Sequence, residues 1–215
     1  MAQIPSKNDV KTIMESIMKL NMSLNKTIWT SVGALALMSS SVTAQTVQDD
    51  FFADLASHCG KAFVGKVVSN DSADKAMSEQ RLVMHVRECS DTELKVPFHV
   101  GDDSSRTWVI TKTAGGLRLK HDHRHKDGSP DAVTFYGGDT PAGFLGSAIA
   151  QSFPVDAESI ENFMANGLDK SVTNVWHLYL SPEVFTYRLS REDREFRVDF
   201  DLSNPVEVPA APRGH

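Results

Sequence analysis

Apolar and polar positions alternate with a period of two along residues 117–126, the strongest pattern in the chain. Leu117, Leu119, His121, His123 and His125 fall on one face. Arg118, Lys120, Asp122, Arg124 and Lys126 fall on the other. Successive side chains of a strand point to opposite sides, so this run predicts a β-strand. The charged face is expected to meet water, because unpaired charges in a core would each cost on the order of several kcal/mol. The other face then turns inward at least as far as His121. His125, nearest the turn at Asp127-Gly128, is expected to be the most exposed of the three imidazoles.

Shorter alternations flank this strand. Leu82, Met84 and Val86 alternate within residues 81–88, and Val96, Phe98 and Val100 within 93–100. Phe196, Val198, Phe200 and Leu202 alternate with Arg197, Asp199 and Asp201. Further strands are predicted over residues 61–69, 107–113, 132–136, 172–180 and 184–190, separated by turn-forming clusters such as Gly101-Asp102-Asp103-Ser104. Two segments follow the helical period instead. Asp49-Asp50 opens one, with Phe51, Phe52, Leu55 and Ala56 on a face and Gly60 as its stop. Asp156 caps the other, with Ile160, Phe163 and Met164 together and Asn166-Gly167 at the end. Residues 137–150 read as an irregular, glycine-rich loop.

The expected fold is therefore all-β with two short helices, an antiparallel up-and-down barrel of about nine strands, since closure removes exposed edges. A two-sheet β-sandwich is the alternative. One domain spans residues 45–204, and the proline-rich tail 205–215 is expected to fray.

The first 44 residues are read apart from the domain. Lys26, the apolar run 28–38 and the small residues Val42 and Ala44 form a signal-peptide pattern, with cleavage before Gln45. The run is shorter than the roughly 20 residues that span a bilayer. Met22-Ser23-Leu24-Asn25-Lys26 has the form of a signal start, so either Met1 or Met22 serves as initiator. A periplasmic or secreted location is expected. Four lysines and two acids precede Gln45, leaving 18 basic and 26 acidic residues and a net charge of −8. That sign disfavours nucleic acid and anionic membrane surfaces as partners. No later segment is apolar enough to span a membrane, and a monomer is expected.

Cys59 and Cys89 are the two cysteines. In an exported protein they are expected to form one disulfide, and neither belongs to a C-x-x-C pair of the kind zinc sites use.

The histidine row admits three readings. It can be structural, it can line a ligand cavity, or it can bind a divalent metal. Imidazole is the commonest metal ligand, and i, i+2 ligands on a strand stand about 6–7 Å apart on one face. His121, His123 and His125 are the candidate ligands, with His177, His85 and His99 available from neighbouring strands. His121-Asp122-His123-Arg124-His125 departs from the H-x-H-x-D-H motif of metallo-β-lactamases, and no Glu follows at the cupin spacing. In residues 174–180, Val175, His177 and Tyr179 share one face, and Trp176, Leu178 and Leu180 the other. His121, His123, His177, Tyr179 and Trp108 are thus the candidate ligand-binding residues. No phosphate-cradling loop, nucleophile elbow or specified catalytic triad is present.

Residues 117–138, with Phe153-Pro154-Val155-Asp156 and Thr173-Asn174-Val175-Trp176, resemble a group of uncharacterised secreted proteins of Gram-negative bacteria. That resemblance implies export and no particular activity. The architecture is similar to the calycins, the lipocalin-type barrels, although Gly60-Lys61-Ala62 stands where lipocalins carry the tryptophan of G-x-W. The leading expectation is an exported barrel that binds a small apolar or amphipathic molecule. The alternatives are a metal-dependent hydrolase or lyase using the histidine cluster, and an envelope structural or interaction protein without a pocket.

Overall fold

A computed structural model describes residues 45–143 and 146–214. These residues belong to one unit of the chain, residues 44–215. The signal sequence read in the first 44 residues lies outside the described residues.

Thr46 and Asp49 form a reciprocal capping box that starts α1 (Val47–Ala56). This helix is the one expected from the Phe51, Phe52 and Leu55 spacing, and all three side chains are buried. The chain then enters β1 (Ala62–Val67), a one-turn helix α2 (Lys75–Ser78), β2 (Leu82–His85) and the two-residue β3 (Glu88–Cys89). Three long strands follow: β4 (Glu93–Val100), β5 (Asp103–Thr113) and the histidine strand β6 (Gly116–His123). Next come β7 (Tyr136–Asp139), β8 (Ala150–Pro154) and α3 (Ala157–Ala165). The chain closes with β9 (Val175–Leu180), β10 (Val184–Arg191) and β11 (Arg194–Val206).

Every pairing is antiparallel. The strand order is β7-β6-β5-β4-β2-β1-β11-β10-β9-β8, with β3 pairing beside β2 on β4. The two ends of this sheet, β7 and β8, come together, giving a nearly closed barrel of about ten strands with three short helices among the described residues. The expected barrel is present and calycin-like in architecture. It has more strands than the pattern predicted, because β3 is minimal and neither Tyr136-Gly137-Gly138-Asp139 nor Ala150-Gln151-Ser152-Phe153-Pro154 shows apolar alternation.

The seam is closed by backbone proximity. A Cβ at Gly138 would lie 1.8 Å from the Pro154 carbonyl oxygen across the seam, and on the β6 side one at Gly137 would lie 1.9 Å from that of Leu119. Only glycine permits these approaches. Across the seam the Asp156 N–H donates to the Gly137 carbonyl at 2.8 Å, and the Gly137 N–H donates to Ser159 Oγ at 2.8 Å. The start of α3 therefore serves as the last stave.

Inside, aromatic rings fill the middle of the barrel. Trp108 stacks between Phe98 and Tyr187, at centroid distances of 5.1 and 4.5 Å, with Phe185 and Phe200 against its edges. Helix α1 seals the end near the β5–β6 turn, where Asp49 pairs with Lys112 at 2.9 Å. The Cys59–Cys89 disulfide, with a Cα separation of 6.3 Å, ties the chain just after α1 to β3.

Leu117, Leu119 and His121 point inward, as the alternation implies. The expectation for the charged face needs correction. Arg118 and Lys126 are exposed, but Lys120 is 9% and Asp122 1% exposed. The reason is that this outer face is covered. Lys120 Nζ lies 2.6 Å from the Asp156 carboxylate at the start of α3. Asp122 accepts from Arg124 Nε at 2.8 Å and from Thr134 Oγ1 at 3.1 Å. Both buried charges are paired, which removes the penalty that made burial look forbidden.

The tail, expected to fray, is instead held at both ends. Val206 still pairs with Ala62, while the Arg213 N–H donates to the Ser104 carbonyl and its guanidinium meets Asp103 at 3.0 Å. On β2 and β4, Val83, His85 and His99 are buried although the alternation turns them away from the barrel interior.

Candidate functional site

The end of the barrel opposite α1 is not filled. A cleft of about 380 Å³ opens there, a size at the lower end of small-ligand sites. Its floor is aromatic, made by Tyr136, Trp176 and Tyr187, and Phe163 and Leu168 overhang it from α3 and the turn beyond that helix. Polar groups ring the opening, among them His123, Asp131 and Arg191, with Asn174 buried behind Arg191.

Each floor residue is placed by strand geometry. Trp176 occupies the inward face of β9 with Leu178 and Leu180, all three buried. Tyr187 occupies the inward face of β10, opposite Leu178. Tyr136 starts β7 opposite His121. It follows Phe135, a non-glycine residue at φ +52°, an uncommon backbone state that reverses the chain just before the strand. Asn162 Nδ2 donates to the Ala132 carbonyl at 2.9 Å and so holds α3 over the segment leading into Tyr136.

A buried hydrogen-bond chain underlies the floor. His121 Nδ1 is 3.1 Å from the Tyr136 carbonyl, which can only accept, so Nδ1 carries the proton. His121 Nε2 is then an acceptor, and the Tyr187 hydroxyl donates to it at 2.9 Å. The Tyr187 oxygen in turn receives the Trp176 indole N–H. His121 also stacks on the Tyr136 ring at 4.8 Å. Burial drives its pKa down to about 3, against the smaller opposing effect of the Tyr136 carbonyl, so the ring is neutral. His123 Nε2 meets the Tyr136 hydroxyl at 3.1 Å. Burial, then the nearby Arg106 charge, lowers the His123 pKa as well. Tyr136 is pushed up to about 12 by burial and stays protonated.

The candidate residues named from sequence are dispersed. His123 lines the cleft, and His121 lies beneath it with both ring nitrogens engaged. Trp108 is sealed in the barrel interior below Tyr187. His177 and Tyr179 sit on the outer face of β9, where His177 is held by Ser152 Oγ at 2.8 Å and Ser190 Oγ at 2.9 Å. His125 is exposed, its Nδ1 3.9 Å from Asp131. His85 and His99 are buried and lie on the outer side of the sheet. Among the described residues, no three His, Cys, Asp or Glu side chains are grouped so as to hold a metal ion. The third ligand a catalytic zinc needs is thus not brought to His121 and His123 by any of the proposed strands.

Sequence reasoning missed Tyr136, Trp176, Asn174 and Arg191. One signal could have found Trp176. In residues 175–180 one face is wholly apolar, so that face had to be the core, which places Trp176 inside and His177 outside.

The chain matches no protein-family model, no curated protein and no solved structure.

Proposed function

We propose that this protein is an exported barrel that binds one small amphipathic molecule in the cleft at the mouth opposite α1. The observation that carries the reading is the cleft itself: about 380 Å³, with an aromatic floor and a polar rim, at the one end of the barrel that α1 does not seal. Apolar floors with a few placed polar groups are what small-molecule sites share. The floor is also pre-organised. Its rings are held by the Trp176–Tyr187–His121–Tyr136 chain, so little ordering cost falls on binding. Export is supported by the signal pattern and by the Cys59–Cys89 bond, which persists in oxidising compartments.

Saturation-transfer NMR with cinnamyl alcohol, a flat neutral probe, tests this. Transfer to the probe is expected with the wild-type protein and is expected to vanish in Val133→Trp, which fills the cleft from its wall. Transfer that survives Val133→Trp unchanged would place the probe elsewhere and count against the site.

A further inference from the structure

Resting on the cleft as the binding site, we infer that its ligand is a small carboxylic acid with a flat apolar body, the carboxylate received by Arg191 and the body lying on the half-buried Tyr136. Arg191 is held by neutral groups. Its Nη1 donates to Ser171 Oγ and to Asn174 Oδ1, each at 3.2 Å. Among the described residues no carboxylate pairs with it. Other arginines of the barrel differ: Arg188 pairs with Glu195, Arg194 with Asp71 and Asp74, and Arg106 with Asp103. Arg191 is therefore an oriented guanidinium with its charge unspent.

The way it is oriented matters. With Nη1 committed to Ser171 and Asn174, the Nε and Nη2 hydrogens remain. That edge of a guanidinium receives a carboxylate through two parallel hydrogen bonds. Asn174, which steers Nη1, is itself buried at 5% exposure, so the arrangement is fixed from behind. Arg191 also stands where the cleft meets an open groove of about 490 Å³, in which Asp169, Glu192 and Asp193 stand against Lys170 and Arg194. A ligand bound there keeps its ionised end toward water and its apolar end on the rings, which suits an amphipathic acid.

Asp131 is the one acid lining the cleft, and it argues for a cation instead. Its side chain is 40% exposed, Oδ1 is taken by the Val133 N–H, and Oδ2 faces His125. Its charge is thus both solvated and partly used. Arg191 is the better-placed ion.

Three probes share one body and differ in charge: cinnamate, cinnamyl alcohol and cinnamylamine. Dissociation constants from amide-shift titrations of the full mature chain at neutral pH separate the cases. Cinnamate is expected to bind about tenfold more tightly than the alcohol, as a two-point charged contact implies, and the amine more weakly than the alcohol. Arg191→Met is expected to equalise acid and alcohol. Arg191→Lys is expected to keep part of the preference. If Arg191→Met also loses the alcohol, Arg191→Lys decides: a retained acid preference supports the inference and a lost one overturns it. Equal binding of acid and alcohol by the wild type, or preference for the amine, overturns the inference and leaves the cleft standing. Binding of none of the three overturns the cleft reading itself.

Discussion

His121 links the core to the site, because one neutral imidazole orients the Tyr136 carbonyl and the Tyr187 hydroxyl at once. Its protonation has a definite sign. In the unfolded chain it titrates near 6.5 and in the fold at about 3, so between those values the unfolded state binds a proton that the native state refuses. The stability this neutral ring represents is complete above about pH 6.5 and is lost as pH falls toward 3, by about 1.4 kcal/mol per pH unit. Burial lowers His58, His85, His99, His123 and His177 as well, so they act in the same direction. Urea midpoints from pH 7 to 4 are expected to fall more steeply for wild type than for His121→Phe. Parallel curves would show that His121 is protonated in the fold. Gly138 makes the other residue-scale prediction. Gly138→Ala places a methyl on the Pro154 carbonyl, so it is expected to destabilise by more than about 2 kcal/mol and to speed amide exchange in β7. A neutral outcome would mean the seam is loose.

At the scale of elements, the capping residue of α3 does two tasks. The Asp156 carboxylate accepts the Ser159 N–H at 2.9 Å and pairs with the buried ammonium of Lys120 across the seam. Asp156→Ala is therefore expected to cost more than the roughly 1 kcal/mol of an ordinary lost cap, with Lys120→Met partly rescuing it by removing a buried charge left with only the exposed Glu158 at 3.4 Å. Chemical denaturation of the two single variants and the double variant checks this, and simple additivity would contradict it. The same elements show what the sequence could and could not disclose. The Asp156 cap, α1 and the long strands were legible, since capping chemistry and alternation are local. β7 and β8 were not, because Tyr136-Gly137-Gly138-Asp139 forms a strand for reasons of backbone contact with β6 and Pro154, which no side-chain pattern records. Lys120 and Asp122 depart from expectation for a related reason. Alternation says which side of the sheet a residue faces, while burial on that side depends on what later folds over it.

Over the whole molecule, closure comes from three fastenings: the β7–β8 seam, the docked tail and the disulfide. Cys59–Cys89 closes a loop of 30 residues, and chain-entropy reasoning assigns such a link roughly 3–4 kcal/mol. Cys89→Ser is expected to lower stability by about that amount without changing the fold, as thermal unfolding under non-reducing conditions would register. The site was less legible than the barrel. His123 was found, but Tyr136 comes from β7 at the opposite end of the strand order from the paired β9 and β10 that carry Trp176 and Arg191, and only closure brings it to them. The most direct test of the proposed binding site is a crystal structure of the mature protein soaked with cinnamate. The ring is expected over Tyr136, with the carboxylate on Arg191. A cleft closed by Phe163 and Leu168, with cinnamate elsewhere or absent, would contradict it.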